Sequence, residues 1–157
     1  MLKQPSIATV TLDEASIVRR APEVEHERRI ALTDLVHTNT VALLAAPTLV
    51  PPFDLLLRVA ENRLTLRFTD AHQATHDITL PLVGFRGIIK DYFLMCESYY
   101  EAIKKSSSDR LQTLDMARRS VHNEGSEMLT AQLADRLHMD FDTARRLFTL
   151  ICVLHIK

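Results

Sequence analysis

Glycine is scarce in this chain, with 3 among 157 residues, where ordinary usage gives about 11. Phosphate-cradling loops spend several glycines at once, because the backbone must approach the ligand closely and adopt positive φ. Neither G-x-x-x-x-G-K-[ST] nor G-x-G-x-x-G occurs, which excludes the common nucleotide-binding loops. Tryptophan is absent, and cysteine is limited to Cys96 and Cys152, far apart and each among large apolar residues. They read as buried reduced thiols. No C-x-x-C, H-E-x-x-H or G-x-S-x-G pattern exists, so no metal, cofactor or nucleophile elbow is expected. Long apolar runs are lacking too. The longest, Val41 to Leu57, is broken by Pro47, Pro51, Pro52 and Asp54, and Met1 to Ser16 carries no apolar signal region. A cytoplasmic protein without membrane contact is the expectation.

Neither sign of charge dominates: 19 Lys+Arg stand against 20 Asp+Glu, a formal net charge of −1. Phosphate contacts supply most nucleic-acid affinity, so a chain without basic excess is not expected to bind nucleic acid. The basic pairs Arg19-Arg20, Arg28-Arg29, Arg118-Arg119 and Arg145-Arg146 are dispersed, although folding can gather them.

What is present is ordinary globular material, 46% hydrophobic and 25% charged. One domain over 1–157 can bury roughly 70% of its unfolded surface without disulfides or metal. Ile7 to Asp13 alternates as a first strand, and Pro22 opens a helix with Glu23, Glu25 and Glu27 near its positive end. His37 to Pro52 reads as a loop over the core. Three alternating stretches follow, carrying Phe53 to Val59, Leu64 to Phe68 and Ile78 to Leu82 on their apolar positions, joined closely enough for an antiparallel meander. From Val83 the period becomes helical, with a break and N-cap at Ser106-Ser107-Ser108-Asp109 and a long helix to about Leu137. His138 and Met139 link to a last helix capped by Asp140 or Asp142. After Arg146 that helix has no polar face, so it is either central to the core or pairs with a second subunit, and a buried strand is its rival. The expected fold class is α+β: a two-layer domain with a four-stranded, mostly antiparallel sheet covered by helices, three of them in the C-terminal half.

One polar constellation stands out. Leu111, Leu114, Val121 and Gly125 share an arc of the long helix, and Arg118 falls inside it with His122 one turn on. A buried arginine needs an acceptor. Asp115 is the local candidate, and Glu124, Glu127, Asp91 and Asp142 are non-local ones. Two readings follow: a structural ion pair, or a pocket in which Arg118 and His122 bind an anion with Gly125 allowing close approach. Arg145 and Arg146 would assist, and His122 with Glu124 would move protons. Arg119 and Glu127 point to solvent. Glu97 and Glu101, beside Lys104 and Lys105, read as a charged solvated face, and Tyr92, Tyr99 and Tyr100 as core.

Several longer stretches carry a resemblance: Glu25 to Arg28, Glu61 to Leu64, Lys90 to Phe93 through Cys96 to Ile103, His122 to Glu127, and Asp140 to Phe148 on to His155. Together they resemble an uncharacterised protein family found mainly in alphaproteobacteria, over most of the chain. The chain departs from it along Val41 to Pro52 and Gly84 to Gly87, where the family is expected to be more basic. The resemblance implies a bacterial cytoplasmic protein and carries over no functional residue. Two functions remain open: an interaction or regulatory protein that forms a homo-oligomer through the last helix, or a binder or enzyme for a small phosphorylated or carboxylated compound.

Overall fold

The computed structural model describes residues 5–14, 21–105 and 108–155. The elements run β1 (Ile7–Leu12), α1 (Pro22–His37), β2 (Val41–Leu43), β3 (Phe53–Ala60), β4 (Arg63–Thr69), β5 (Thr75–Pro81), α2 (Arg86–Lys105), α3 (Ser108–Leu133), β6 (Leu137–Met139) and α4 (Phe141–Leu154). A 3-10 turn at Val83–Phe85 leads into α2. The Ser106-Ser107 part of the expected break, the Arg19-Arg20 pair and Ile156 lie outside the described residues.

The main sheet has the order β1-β3-β4-β5. The meander β3-β4-β5 is antiparallel, as alternation predicts, but β1 lies parallel to β3, so the sheet is mixed. A parallel pair needs a crossover connection, and α1 supplies it. Leu12, Leu57, Leu66 and Ile78 stand in register across all four strands and form one apolar row under the helices. The opposite face is wet: Arg67 donates two bonds to Asp77, at 2.8 and 3.0 Å, and Thr9 donates to Asp54 at 2.6 Å.

With few glycines, the tight turns place other residues in left-handed backbone. Glu61 and Asn62, at φ 53 and 63, make the two-residue turn between β3 and β4, and Gln73 at φ 69 serves the next one. In that turn Asp70 accepts the N–H groups of His72, Ala74 and Val50, tying the β4–β5 connection to the preceding loop.

Two expectations need correction. The segment after α1 is not all loop: Val41–Leu43 forms β2 and pairs antiparallel with Leu137–Met139, a strand where the helix end near Leu137 and the His138-Met139 link are expected, the long helix stopping at Leu133. Strands of three residues carry no periodic signal, and partners from opposite halves of the chain cannot be paired by local pattern. At the same corner Asn39 completes two backbone edges. Its Oδ1 accepts the Ile7 N–H at 2.7 Å, and its Nδ2 donates to the carbonyls of Ile7 and Leu35.

The last element is a helix, and it is the centre of the core. Ala144 and every residue from Leu147 to Leu154 are buried within the chain, against α1, α3 and the sheet. A second subunit is therefore not needed to cover α4, and the homo-oligomer expectation loses the observation that prompted it. Asp140 occupies the N-cap position of α4 and accepts the Thr143 hydroxyl, whose oxygen in turn accepts the Thr40 N–H at 3.1 Å.

Candidate functional site

Helical period places one stripe of each of three helices around a shared cleft. From α1 come Glu27, Ile30, Ala31 and Asp34; from α3, Arg118, Arg119 and His122; from α4, Arg145, Arg146 and Thr149. The cleft measures about 300 Å³. Folding thus gathers two of the dispersed basic pairs, while Arg28 and Arg29 are engaged by Glu14 and Glu25 on α1's own side. Both α3 and α4 use the same local pattern, Arg-Arg-x-x followed by a buried polar residue, His122 or Thr149.

Arg118 is the hub. Its Nη1 donates to Glu27 Oε1 at 3.0 Å and its Nη2 to Asp115 Oδ1 at 3.1 Å, and the guanidinium lies over the Tyr99 ring, 4.7 Å from the centroid. Burial alone would ease its proton off, but the Asp115 bond and the Glu27 charge outweigh burial and raise its pKa. The non-local partner is therefore Glu27 of α1, not Glu124, Glu127, Asp91 or Asp142. Helix period on α1 puts Glu27 among Val24, Ala31 and Leu35, a signal available in the sequence. The Asp115 carboxylate is shared, its second oxygen facing Arg119 at 3.1 Å.

His122 is buried against Tyr92, ring centroids 5.4 Å apart, and its Nε2 has no hydrogen-bond partner among the described residues. Burial first, then the charges of Arg118 and Arg145, push its pKa down to about 4. The imidazole is neutral near pH 7.

The two α4 arginines are less tightly held. Arg145 faces Asp142 at 3.6 Å, and Arg146 donates to the Thr38 carbonyl at 2.8 Å with no carboxylate partner among the described residues. Asp34 likewise has no side-chain partner among them and is exposed at the cleft's edge.

The remaining candidates fall elsewhere. Glu124 is exposed and does not line the cleft, so it is not placed to share a proton with His122. Gly125 faces α4: a Cβ there would sit 2.3 Å from Phe148 Cζ, so the close approach is between helices. Gly84 and Gly87 have open space around them. A larger cavity of about 650 Å³ opens on Val24, Ile89 and Phe93 between α1 and α2, with Arg86 and Lys90 on its wall. Residues 4–157 match the Uncharacterised protein family UPF0262.

The chain belongs to the UPF0262 family.

It is 44% identical to a UPF0262 protein of Paramagnetospirillum magneticum over 158 residues, covering 100% of this chain and 99% of that protein. A UPF0262 protein of Sphingopyxis alaskensis is 49% identical over 154 residues, 96% of this chain and 93% of the other. One of Novosphingobium aromaticivorans is 46% identical over 160 residues, 98% of each. No solved structure matches the chain. UPF0262 proteins come mostly from alphaproteobacteria and carry no established activity, so chemistry at this cleft rests on its own residues.

Proposed function

We propose that the cleft between α1, α3 and α4 binds a small compound through its carboxylate or phosphate group, with Arg145 and Arg146 contacting the anion. One observation carries this reading: adjacent guanidinium groups line a concave site, and Arg146 has no carboxylate partner among the described residues. Arg118 shapes the wall and is held by Glu27 and Asp115, and His122 offers a neutral ring. The role is binding rather than proton transfer. A histidine held down to about 4 is a weak base near neutrality, and Glu124 lies outside the cleft. Cytoplasmic location belongs to the same reading: Cys96 and Cys152 are free buried thiols, as suits a reducing compartment. Among the described residues no helix is long and apolar enough to cross a membrane.

Thermal unfolding tests the reading. A ligand at 100 times its Kd stabilises by about 2.7 kcal/mol, which raises Tm by roughly 5–10 °C at this size. Inorganic phosphate and a panel of phosphorylated and carboxylated metabolites supply the probes. Arg146→Met should abolish any shift and leave the unliganded Tm nearly unchanged. A panel without a shift, or a shift that survives Arg146→Met, overturns the assignment.

A further inference from the structure

We infer that the ligand of this cleft is a zwitterion of the amino-acid class, carrying an ammonium group for Asp34 as well as a carboxylate for Arg145 and Arg146. The inference rests on the anion-binding reading and narrows it.

Charge in the cleft is nearly balanced. The guanidinium groups of Arg118, Arg119, Arg145 and Arg146 line the cleft, but Glu27 and Asp34 line it too, and Asp115 and Asp142 sit against the same arginines. Acid and base are close to even, so a ligand bearing only negative charge gains little from the field of the site as a whole. A ligand bearing both signs loses nothing by that balance, because it answers each wall separately.

Most of these charges are already used. Glu27 is spent on Arg118, Asp115 on Arg118 and Arg119, and Asp142 on Arg145. Two opposite charges without an ionic partner among the described residues are left over in the lining: the Asp34 carboxylate on α1 and the Arg146 guanidinium on α4. Both line the cleft, yet no ion pair joins them, and Arg146 instead donates to the Thr38 carbonyl one turn beyond Asp34. Opposite charges that line one cleft without an ion pair between them are an arrangement that a molecule with paired opposite charges can bridge.

Size and lining agree. A volume of about 300 Å³ lies at the small end for ligand pockets. Ile30, an exposed large apolar side chain, sits on the α1 stripe between Glu27 and Asp34 and gives an aliphatic substituent something to cover. His122 also lines the cleft, and its Nε2 is buried without a partner among the described residues.

The test is calorimetry on the full chain. The standard amino acids are titrated, each tight binder against its deaminated acid and its decarboxylated amine; for leucine these are 4-methylpentanoate and 3-methylbutylamine. At least one amino acid is expected to bind tenfold or more tighter than both truncated forms. Asp34→Asn should reduce that preference over the deaminated acid to about equal, and Arg146→Met should weaken the amino acid by tenfold or more. Because Asp34 is exposed, Asn there leaves the fold intact, which an unchanged Tm verifies. If the deaminated acid or inorganic phosphate binds as tightly as the amino acid, the zwitterion is overturned and the anion site stands. If neither amino acids nor simple anions bind, both fall.

Discussion

Arg118 and His122 share a helix turn and a cleft, yet their physics differs. Arg118 is a partly buried cation whose partner Glu27 is also buried. Arg118→Met leaves that carboxylate without its counter-charge, and because the pair keeps some exposure the expected loss is about 2–3 kcal/mol in urea unfolding, below the figure for fully buried pairs. Glu27→Leu combined with Arg118→Met should recover most of it, since an apolar replacement of both partners removes the unpaired charge. A double variant as unstable as the single one would show that Glu27 is not the partner that matters. His122 gives a pH signature. Its pKa falls from an ordinary 6.5 to about 4, so below about 6.5 the unfolded chain takes up a proton that the native state refuses. Stability is therefore lost as pH falls from about 6.5 towards 4, by up to about 1.4 kcal/mol per pH unit and roughly 3 kcal/mol in all. His122→Gln should flatten the urea-stability profile between pH 6.5 and 5, above the range where carboxylates titrate strongly. Equal slopes for the two proteins would mean that the native imidazole protonates freely. The arginine in an apolar arc was legible in the sequence as a buried charge needing an acceptor. Its partner was only half legible: helix period marks Glu27 as sharing the apolar side of α1, but only the tertiary fold brings it within reach of Arg118.

Between elements, the α3–α4 contact depends on a missing side chain. Phe148 is fully buried with its ring tip over Gly125, and Tyr92 packs edge-on to it, centroids 6.2 Å apart. Gly125→Ala gains about 1 kcal/mol of helix propensity. It also forces a methyl into a ring that has nowhere to swing, an overpacking cost of about 3 kcal/mol. The net expectation is a loss of about 2 kcal/mol, partly relieved when Phe148→Leu accompanies it; chemical denaturation of the three variants checks both signs. A stabilised Gly125→Ala protein would show that α3 and α4 do not approach this closely. The helices and the meander were readable because their apolar residues repeat over many positions, as in Ile88, Ile89, Tyr92 and Cys96 of α2 or Leu64, Leu66 and Phe68 of β4. Strands β2 and β6 were not, since Val41–Leu43 and Leu137–Met139 are too short for a period and come from opposite halves of the chain. The parallel placement of β1 escaped for a related reason: alternation marks a strand and which of its faces is apolar, but not the direction of its neighbour.

For the molecule as a whole, α4 decides whether the other elements hold together. The apolar cluster runs from Ile7 of β1 to Leu154 of α4, and α4 packs on α1, α3 and the sheet. The cleft exists only because α1 and α3 both lean on it. An all-apolar run after Arg146 showed that the segment is buried, but composition is blind to whether the cover comes from the same chain or from another copy. Within the structure the cover is intramolecular, and that has an energetic consequence. Leu147, Phe148, Leu150, Ile151, Val153 and Leu154 are all buried, and at about 1.5–3 kcal/mol per large side chain their removal forfeits on the order of 10 kcal/mol. That is comparable with the entire net stability of an ordinary domain, about 5–15 kcal/mol. A chain ended after Met139 also uncovers the apolar row of the sheet and the inner faces of α1 and α3, so no smaller unit is left with a closed core. Such a chain is expected to show no cooperative thermal or urea transition and little ordered far-UV circular dichroism. If it instead unfolds cooperatively, the sheet with α1 to α3 is self-sufficient, α4 becomes an added layer, and a second copy of the chain returns as the surface that α4 was built to meet.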